Sequence, residues 1–112
     1  MAIDYTGHCA FPKGEAQCRI DYLRSTRPDW YPGMHNLTDA RDLGPFDAEI
    51  ARDFGIQAQS VFNIFLLNKD WLDQSRDAVE FVYEVFGTDK LVITHGNDAV
   101  RKPLREYAGV RF

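Results

Sequence analysis

The sequence predicts an α+β fold in which helices pack on a single mixed sheet. Three observations predict it: segments in which apolar and polar residues alternate, a long helical pattern between two such segments, and a chain of 112 residues, which suits one core. The hydrophobic fraction of 45% is typical of a globular protein. We therefore expect residues 1–112 to form one small domain with the element order β-β-α-β-α-β-α.

An N-terminal β-hairpin is the first predicted feature. Apolar residues alternate with polar ones in residues 3–11 and again in residues 18–22, which is the period of a strand with one apolar face. Residues 12–15 between them contain the proline and glycine of a turn. The register that keeps the apolar side chains on one face sets Cys9 opposite Cys18. Because no metal-binding Cys-x-x-Cys spacing occurs, we expect two buried, reduced thiols and no metal site.

Residues 25–44 are predicted to form a long loop, because prolines and a glycine interrupt any regular pattern there. Loops of this length in a compact domain tend to be functional. The loop also holds four residues of the kinds enriched at interface hot spots. We predict that they form a partner-binding site: Trp30, Tyr31, Met34 and His35. The same segment could equally fold back as a flap over the core, and the sequence does not rank the two alternatives.

A short amphipathic helix is predicted directly after the loop. Pro45 suits the first turn of a helix, and Gly55 can end it. Between them, Phe46, Ile50 and Phe54 recur at the spacing of one helical stripe. The sequence therefore places an amphipathic helix between the loop and the second half of the chain.

A βαβ unit is predicted in the second half. Residues 56–67 alternate and then become apolar on both sides, as in a central strand. Residues 70–86 carry apolar side chains at helical spacing, and residues 90–94 form a short β-branched strand. These lengths suit two parallel strands joined by a right-handed crossover. Pro103 prevents one continuous helix after that, so we expect a turn and then a short helix over residues 104–108.

The ends of those two strands form a second candidate site. Parallel strands end at the same edge of a sheet, where ligands of open α/β sheets bind, so residues 68–70 should approach residues 95–98. There His95 could act as a general acid or base near neutral pH, oriented by Asp70 or Asp98, which suffices for simple hydrolysis or proton transfer. The alternative is an ordinary turn, in which His95 bonds to the turn and its neighbours cap the next segment.

Charge and missing motifs favour a protein-binding domain over an enzyme. Thirteen Lys and Arg against seventeen Asp and Glu give a formal charge of −4, which disfavours nucleic acid as the partner. No phosphate loop, nucleophile elbow, zinc-binding helix or EF-hand occurs, so no cofactor is expected. No apolar run has the length of a membrane span and no signal-peptide pattern is present, which predicts a soluble, cytoplasmic protein without a membrane partner.

We therefore predict a small cytoplasmic domain that binds another protein, such as an inhibitor, an immunity-type protein or a regulatory protein, without catalytic chemistry of its own. The alternative is a small hydrolase or ligand-binding domain that uses the strand edge around His95. The sequence leaves a homo-oligomer open. A pocket at the strand ends would favour the second class, and a flat aromatic surface in residues 25–44 would favour the first.

Overall fold

One antiparallel sheet organises the chain in the computed structural model, which describes residues 3–95 and 99–111. In chain order its strands are β1 (Ile3–Cys9), β2 (His35–Leu37), β3 (Arg41–Asp42), β4 (Ser60–Leu66), β5 (Leu91–His95) and β6 (Ala99–Arg101). The helices are α1 (Lys13–Thr26), α2 (Pro45–Asp53) and α3 (Leu72–Phe86), with a single 3-10 turn at Lys69–Trp71. The predicted α+β class is confirmed. The predicted mixed sheet is wrong, because every pairing between described strands is antiparallel.

The central strand of the sheet is β1, in the order β2-β4-β1-β5-β6, and β3 also pairs with β4. Because β4 and β5 are both antiparallel to β1, they run in the same direction but are not neighbours. The predicted βαβ unit is therefore wrong as a pair of adjacent parallel strands, since β1 lies between them. The two strands nevertheless end at the same edge of the sheet, as predicted, because Leu66 at the end of β4 and His95 at the end of β5 both lie beside the start of β1.

The second strand of the predicted hairpin is also wrong, because its residues belong to α1. Pro12 lies just before the first turn of this helix, where a proline is well tolerated. Behind it, Ala16, Ile20 and Leu23 recur at helical spacing and are fully buried. The two periods overlap over such a short segment, and packing against the sheet favours the helix.

Tertiary contacts explain why the alternation in α1 was misleading. Arg19 is buried, and its guanidinium donates hydrogen bonds to the carbonyl oxygens of Val85 at 2.7 Å and Val110 at 2.8 Å. A charged residue that pattern analysis assigns to solvent is thus part of the interior. The prediction of two buried cysteines facing each other across a hairpin is wrong as well, because Cys18 lies on α1: both are free thiols, but Cys9 is buried in β1 and Cys18 is exposed.

The main core lies between one sheet face and the helices α1 and α3. On the opposite face, α2 covers part of the sheet through a small cluster of Ala51, Ile56 and Val92. None of the described helices is both long enough and apolar enough to cross a membrane. The sheet therefore has two helices on one face and one short helix on the other. At the ends of β4 and β5, Leu67 and His95 are exposed.

The C-terminal segment carries no helix at residues 104–108, so that prediction is wrong. In this segment, backbone N–H groups donate to side chains of other segments. The carboxylate of Glu80 accepts from the backbone N–H of Leu104 at 3.0 Å, and the hydroxyl of Thr88 accepts from that of Tyr107 at 3.2 Å. The segment is therefore fixed to α3 and to the turn after it as irregular chain.

Candidate partner-binding surface

Residues 25–44 hold more regular structure than a loop: the end of α1, a series of turns, and the short strands β2 and β3. Two of the four predicted binding residues in this segment are fully buried. The hydroxyl of Tyr31 donates to the carbonyl oxygen of Ala78, and Nε2 of His35 lies 2.9 Å from Oγ of Ser75. Burial raises the pKa of Tyr31 and lowers that of His35, so both side chains are neutral near pH 7. Tyr31 and His35 therefore attach the segment to α3 and present no surface to a partner.

The other two predicted residues, Trp30 and Met34, are half-buried and keep exposed surface. The guanidinium of Arg27 lies 3.3 Å from the centroid of the Trp30 ring. The same guanidinium donates to both carboxylate oxygens of Asp29, at 3.0 and 2.7 Å. Cation–π stacking and a bidentate ion pair restrict the indole to one orientation. Trp30 is thus a pre-ordered aromatic group, the kind of side chain that can contact a partner at little entropic cost.

Strand pairing brings the two regions singled out in the sequence to one end of the sheet. The first residue of β2 pairs with Leu66, the last residue of β4. Just beyond that pair, the backbone N–H of Leu67 donates to the carbonyl oxygen of Met34 at 3.0 Å. His95 ends β5 on the other side of β1. We call this end of the molecule the strand-end surface, defined by its side chains Met34, Leu67, Leu72, Arg76 and His95.

Two leucines give the strand-end surface its apolar character. Leu67 is 56% exposed and Leu72 is 49% exposed. The 3-10 turn lies between them, and the side chain of Asn68 caps it by accepting from the backbone N–H of Asp70 at 2.9 Å. A capped turn fixes the direction of the chain, so both leucines are presented to solvent from a defined backbone.

His95 is exposed at the end of β5, with its ring centroid 5.1 Å from that of Tyr5. No hydrogen bond joins it to Asp70 within the described part of the chain, and Asp98 lies outside the described residues. Asp70 therefore does not make the orienting contact that an acid–base role for His95 requires. Within residues 3–95 and 99–111, no group of three His, Cys, Asp or Glu side chains is placed to hold a metal ion.

A depression of about 280 Å³ adjoins His95, and sequence reasoning missed three charged residues that line it: Asp73, Arg76 and Arg101. Asp73 and Arg76 lie in the first turns of α3, directly after the predicted strand edge. The helical spacing of that segment would have placed both side chains near the edge. No sequence pattern indicates that Arg101 lies there, because its position depends on the pairing of β6 with β5.

The fold and this surface define a class of protein: a small α+β domain that exposes two leucines at one end of its sheet. The chain belongs to the family of CDI system immunity components, whose family model matches residues 1–99. The predicted immunity-type function is therefore confirmed.

Two further comparisons agree with the family. The chain is 24% identical over 98 residues to the immunity protein CdiI-2 of Burkholderia pseudomallei (strain 1026b), which covers 88% of this chain and 97% of that protein. It also matches a chain of the CdiA-CT/CdiI toxin and immunity complex from Burkholderia pseudomallei with a TM-score of 0.84 and 23% identity, over 91% of this chain and 99% of that one. The two chains share one fold.

Proposed function

We propose that this protein binds a toxin of the CdiA-CT kind in the cytoplasm, and that it neutralises the toxin through contact at the strand-end surface. The family match supports the class of partner, since a solved relative of this fold comes from a toxin and immunity complex. The location of the contact is supported by the exposed Leu67 and Leu72 at the end of the sheet, and by Met34, whose carbonyl oxygen accepts from the backbone N–H of Leu67.

Binding energy at protein interfaces is concentrated in a few anchors that become desolvated. The strand-end surface has the properties of such anchors. Its leucines are exposed in the free protein, and the backbone beneath them is held by the buried contacts of Tyr31 and His35. A supported surface loses little conformational entropy on binding.

Two free thiols support the cytoplasmic location. Disulfides form in oxidising compartments, whereas cytosolic thiols stay reduced. Cys18 is exposed and would be open to oxidation, yet it has no disulfide partner. The toxin would therefore be met inside the cell that the immunity protein protects.

Polar substitutions of the exposed leucines test the site. Leu67→Asp combined with Leu72→Asn is expected to weaken toxin binding by about 30-fold or more, because a carboxylate at position 67 and an amide at position 72 remove the apolar contacts of the interface core. Phe46→Asp is the matched control, since Phe46 is 66% exposed on α2 and is not part of the strand-end surface. Calorimetric titration with the purified toxin domain measures affinity, and survival of toxin-producing cells measures protection.

Thermal melting shows whether each variant is folded. Trp30→Ala is expected to weaken binding to a smaller degree, because Trp30 is half-buried and its ring contacts Phe81, well along α3 from Leu72. The site assignment is wrong if Phe46→Asp disrupts binding while the double leucine variant binds like the wild type.

A further inference from the structure

A groove between α3 and the edge strand β6 extends from the strand-end surface. The hydroxyl of Tyr83 holds β6, one side of this groove, in place. That hydroxyl accepts from the backbone N–H of Ile93 at 2.9 Å and donates to the carbonyl oxygen of Arg101 at 2.6 Å. Ile93 and Arg101 are partners in the register of β5 and β6, so the hydroxyl bridges the strands at this pair. Because burial raises the pKa of Tyr83 to about 12, the bridging group stays a neutral donor.

The groove consists of two depressions that share Arg76 and Arg101. The one beside His95 has a volume of about 280 Å³, and the other, of about 320 Å³, reaches Lys102. Apolar side chains lie between these cations, including Leu72, which is 49% exposed, and Leu104, which is 75% exposed. The groove therefore combines cationic and apolar side chains along its length.

The two shared arginines form no ion pair within residues 3–95 and 99–111. Among the described residues, the ion pairs join Arg19 to Glu15, Arg24 to Asp21 and Asp39, and Arg27 to Asp29. No carboxylate of the described residues forms an ion pair with Arg76 or Arg101, although the formal charge of the chain is −4. Two guanidinium groups thus line one groove without an ion-pair partner among the described residues.

The acidic residues of the groove have other roles. Glu80 accepts hydrogen bonds from the backbone N–H of Leu104 and from the hydroxyl of Tyr107, so its carboxylate holds the C-terminal segment. Asp73 lies in the first turn of α3, where the helix dipole stabilises a negative charge. Neither residue forms an ion pair with the two arginines.

We propose that this groove binds a segment of the toxin that bears carboxylate side chains next to apolar ones. The assignment rests on the proposed function, because it names the chemistry of the partner at that surface. A guanidinium group presents a planar pair of N–H donors that matches the two oxygens of a carboxylate. Leu72 and Leu104 supply apolar contacts that a free inorganic anion would not use. The partner therefore places acidic residues at Arg76 and Arg101, while its apolar residues cover the leucines.

Substitution of the shared arginines tests the groove. Calorimetric titration compares toxin binding by the wild type with that of Arg76→Ala, Arg101→Ala and the double variant. We expect each single change to weaken binding about tenfold and the double change to weaken it about 100-fold, with a smaller salt dependence than the wild type. Arg101→Lys keeps the charge but removes the planar pair of donors, so it should retain only part of the affinity. Arg52→Ala, an exposed arginine on α2, is the matched control and should bind within about twofold of the wild type.

The outcomes distinguish a failure of the groove assignment from a failure of the proposed function. If the wild type does not bind the toxin domain, the proposed function fails and the groove assignment fails with it. If the wild type binds and the folded double variant binds equally well, only the groove assignment is overturned. Titration of inorganic phosphate, followed by NMR of the arginine side chains, identifies the ligand. Saturable phosphate binding together with unchanged toxin affinity in the double variant would assign the groove to a free anion and overturn the proposal.

Discussion

The strand-end surface and α2 both expose large apolar side chains, but they differ in what lies beneath them. On α2, Phe46 is 66% exposed, and Phe54, directly after the helix, is 38% exposed, while the helix contacts the sheet through the small side chain of Ala51. At the strand end, the segment next to Leu67 is attached to α3 by the buried groups of Tyr31 and His35. Exposure alone therefore does not identify a binding surface, because a pre-ordered surface loses less entropy on association.

The electrostatics of the two regions differ as well. The helix α2 carries three acidic residues, Asp47, Glu49 and Asp53, and one basic residue, Arg52, so its net charge is negative. The strand-end surface leads into a groove with Arg76 and Arg101, which form no ion pair within the described residues. One region repeats the acidic character of the chain, and the other departs from it. In the proposed assignment of the groove, this difference in charge makes the strand-end region selective for an acidic partner.

The largest expected effect concerns stability beneath the strand-end region. Tyr31→Ala should lower the free energy of unfolding by about 3–5 kcal/mol, because it removes a fully buried ring and leaves a cavity. Tyr31→Phe keeps the ring and should cost about 1 kcal/mol for the lost hydrogen bond. Phe46→Ala on α2 should change the same quantity by less than about 0.5 kcal/mol. Urea denaturation measures all three, and equal losses for Tyr31→Ala and Phe46→Ala would remove the distinction between the regions.

A moderate effect is expected from pH, because burial lowers the pKa of His35 at the strand end and of His8 near α2 from their ordinary value of 6.5. A histidine with a lowered pKa in the folded state stabilises the fold at pH values above 6.5 and loses that contribution as the pH falls through the window below it. We expect the free energy of unfolding to decrease from about pH 7 towards pH 5. His35→Asn should make this decrease shallower. An unchanged slope in that variant would show that His35 does not titrate in this range.

The smallest effect concerns the coupling between α2 and β1. The negative charge of Asp47 on α2 raises the pKa of His8 and so opposes the lowering caused by burial. Asp47→Asn removes that charge, which should lower the folded pKa further and make the loss of stability at acidic pH steeper. NMR titration of the His8 ring measures the pKa directly. A higher pKa in the variant would contradict this account, whereas Asp53→Asn, on the same helix, provides a control.

How much of the fold the sequence predicts depends on where the deciding contacts lie. Local patterns correctly predicted β1, α2, β4, α3 and β5, because each has a clear period or clear terminal residues. The helix α1 was not predicted, because residues 18–22 alternate as a strand would if Arg19 faced solvent. In the fold Arg19 is buried, and its guanidinium donates to the carbonyl oxygens of Val85 and Val110, which are far away in the chain. Distant contacts of this kind leave no local signal.

The candidate site was predictable in part for the same reason. The crossover through α3 correctly placed the ends of β4 and β5 at one edge, although β1 lies between them. Trp30 and Met34 were singled out by residue type, but burial excludes Tyr31 and His35 from direct contact. Arg101 could not have been found, because only the pairing of β6 with β5 brings it beside α3.

Hydrogen exchange of the free protein and of its complex with the toxin domain tests the central claim most directly. Binding at the strand-end surface predicts that backbone amides of residues 67–76 become protected in the complex, while those of α2 (Pro45–Asp53) exchange as in the free protein. Protection of α2 with unchanged exchange in residues 67–76 would contradict the account and would place the toxin on the opposite face of the sheet.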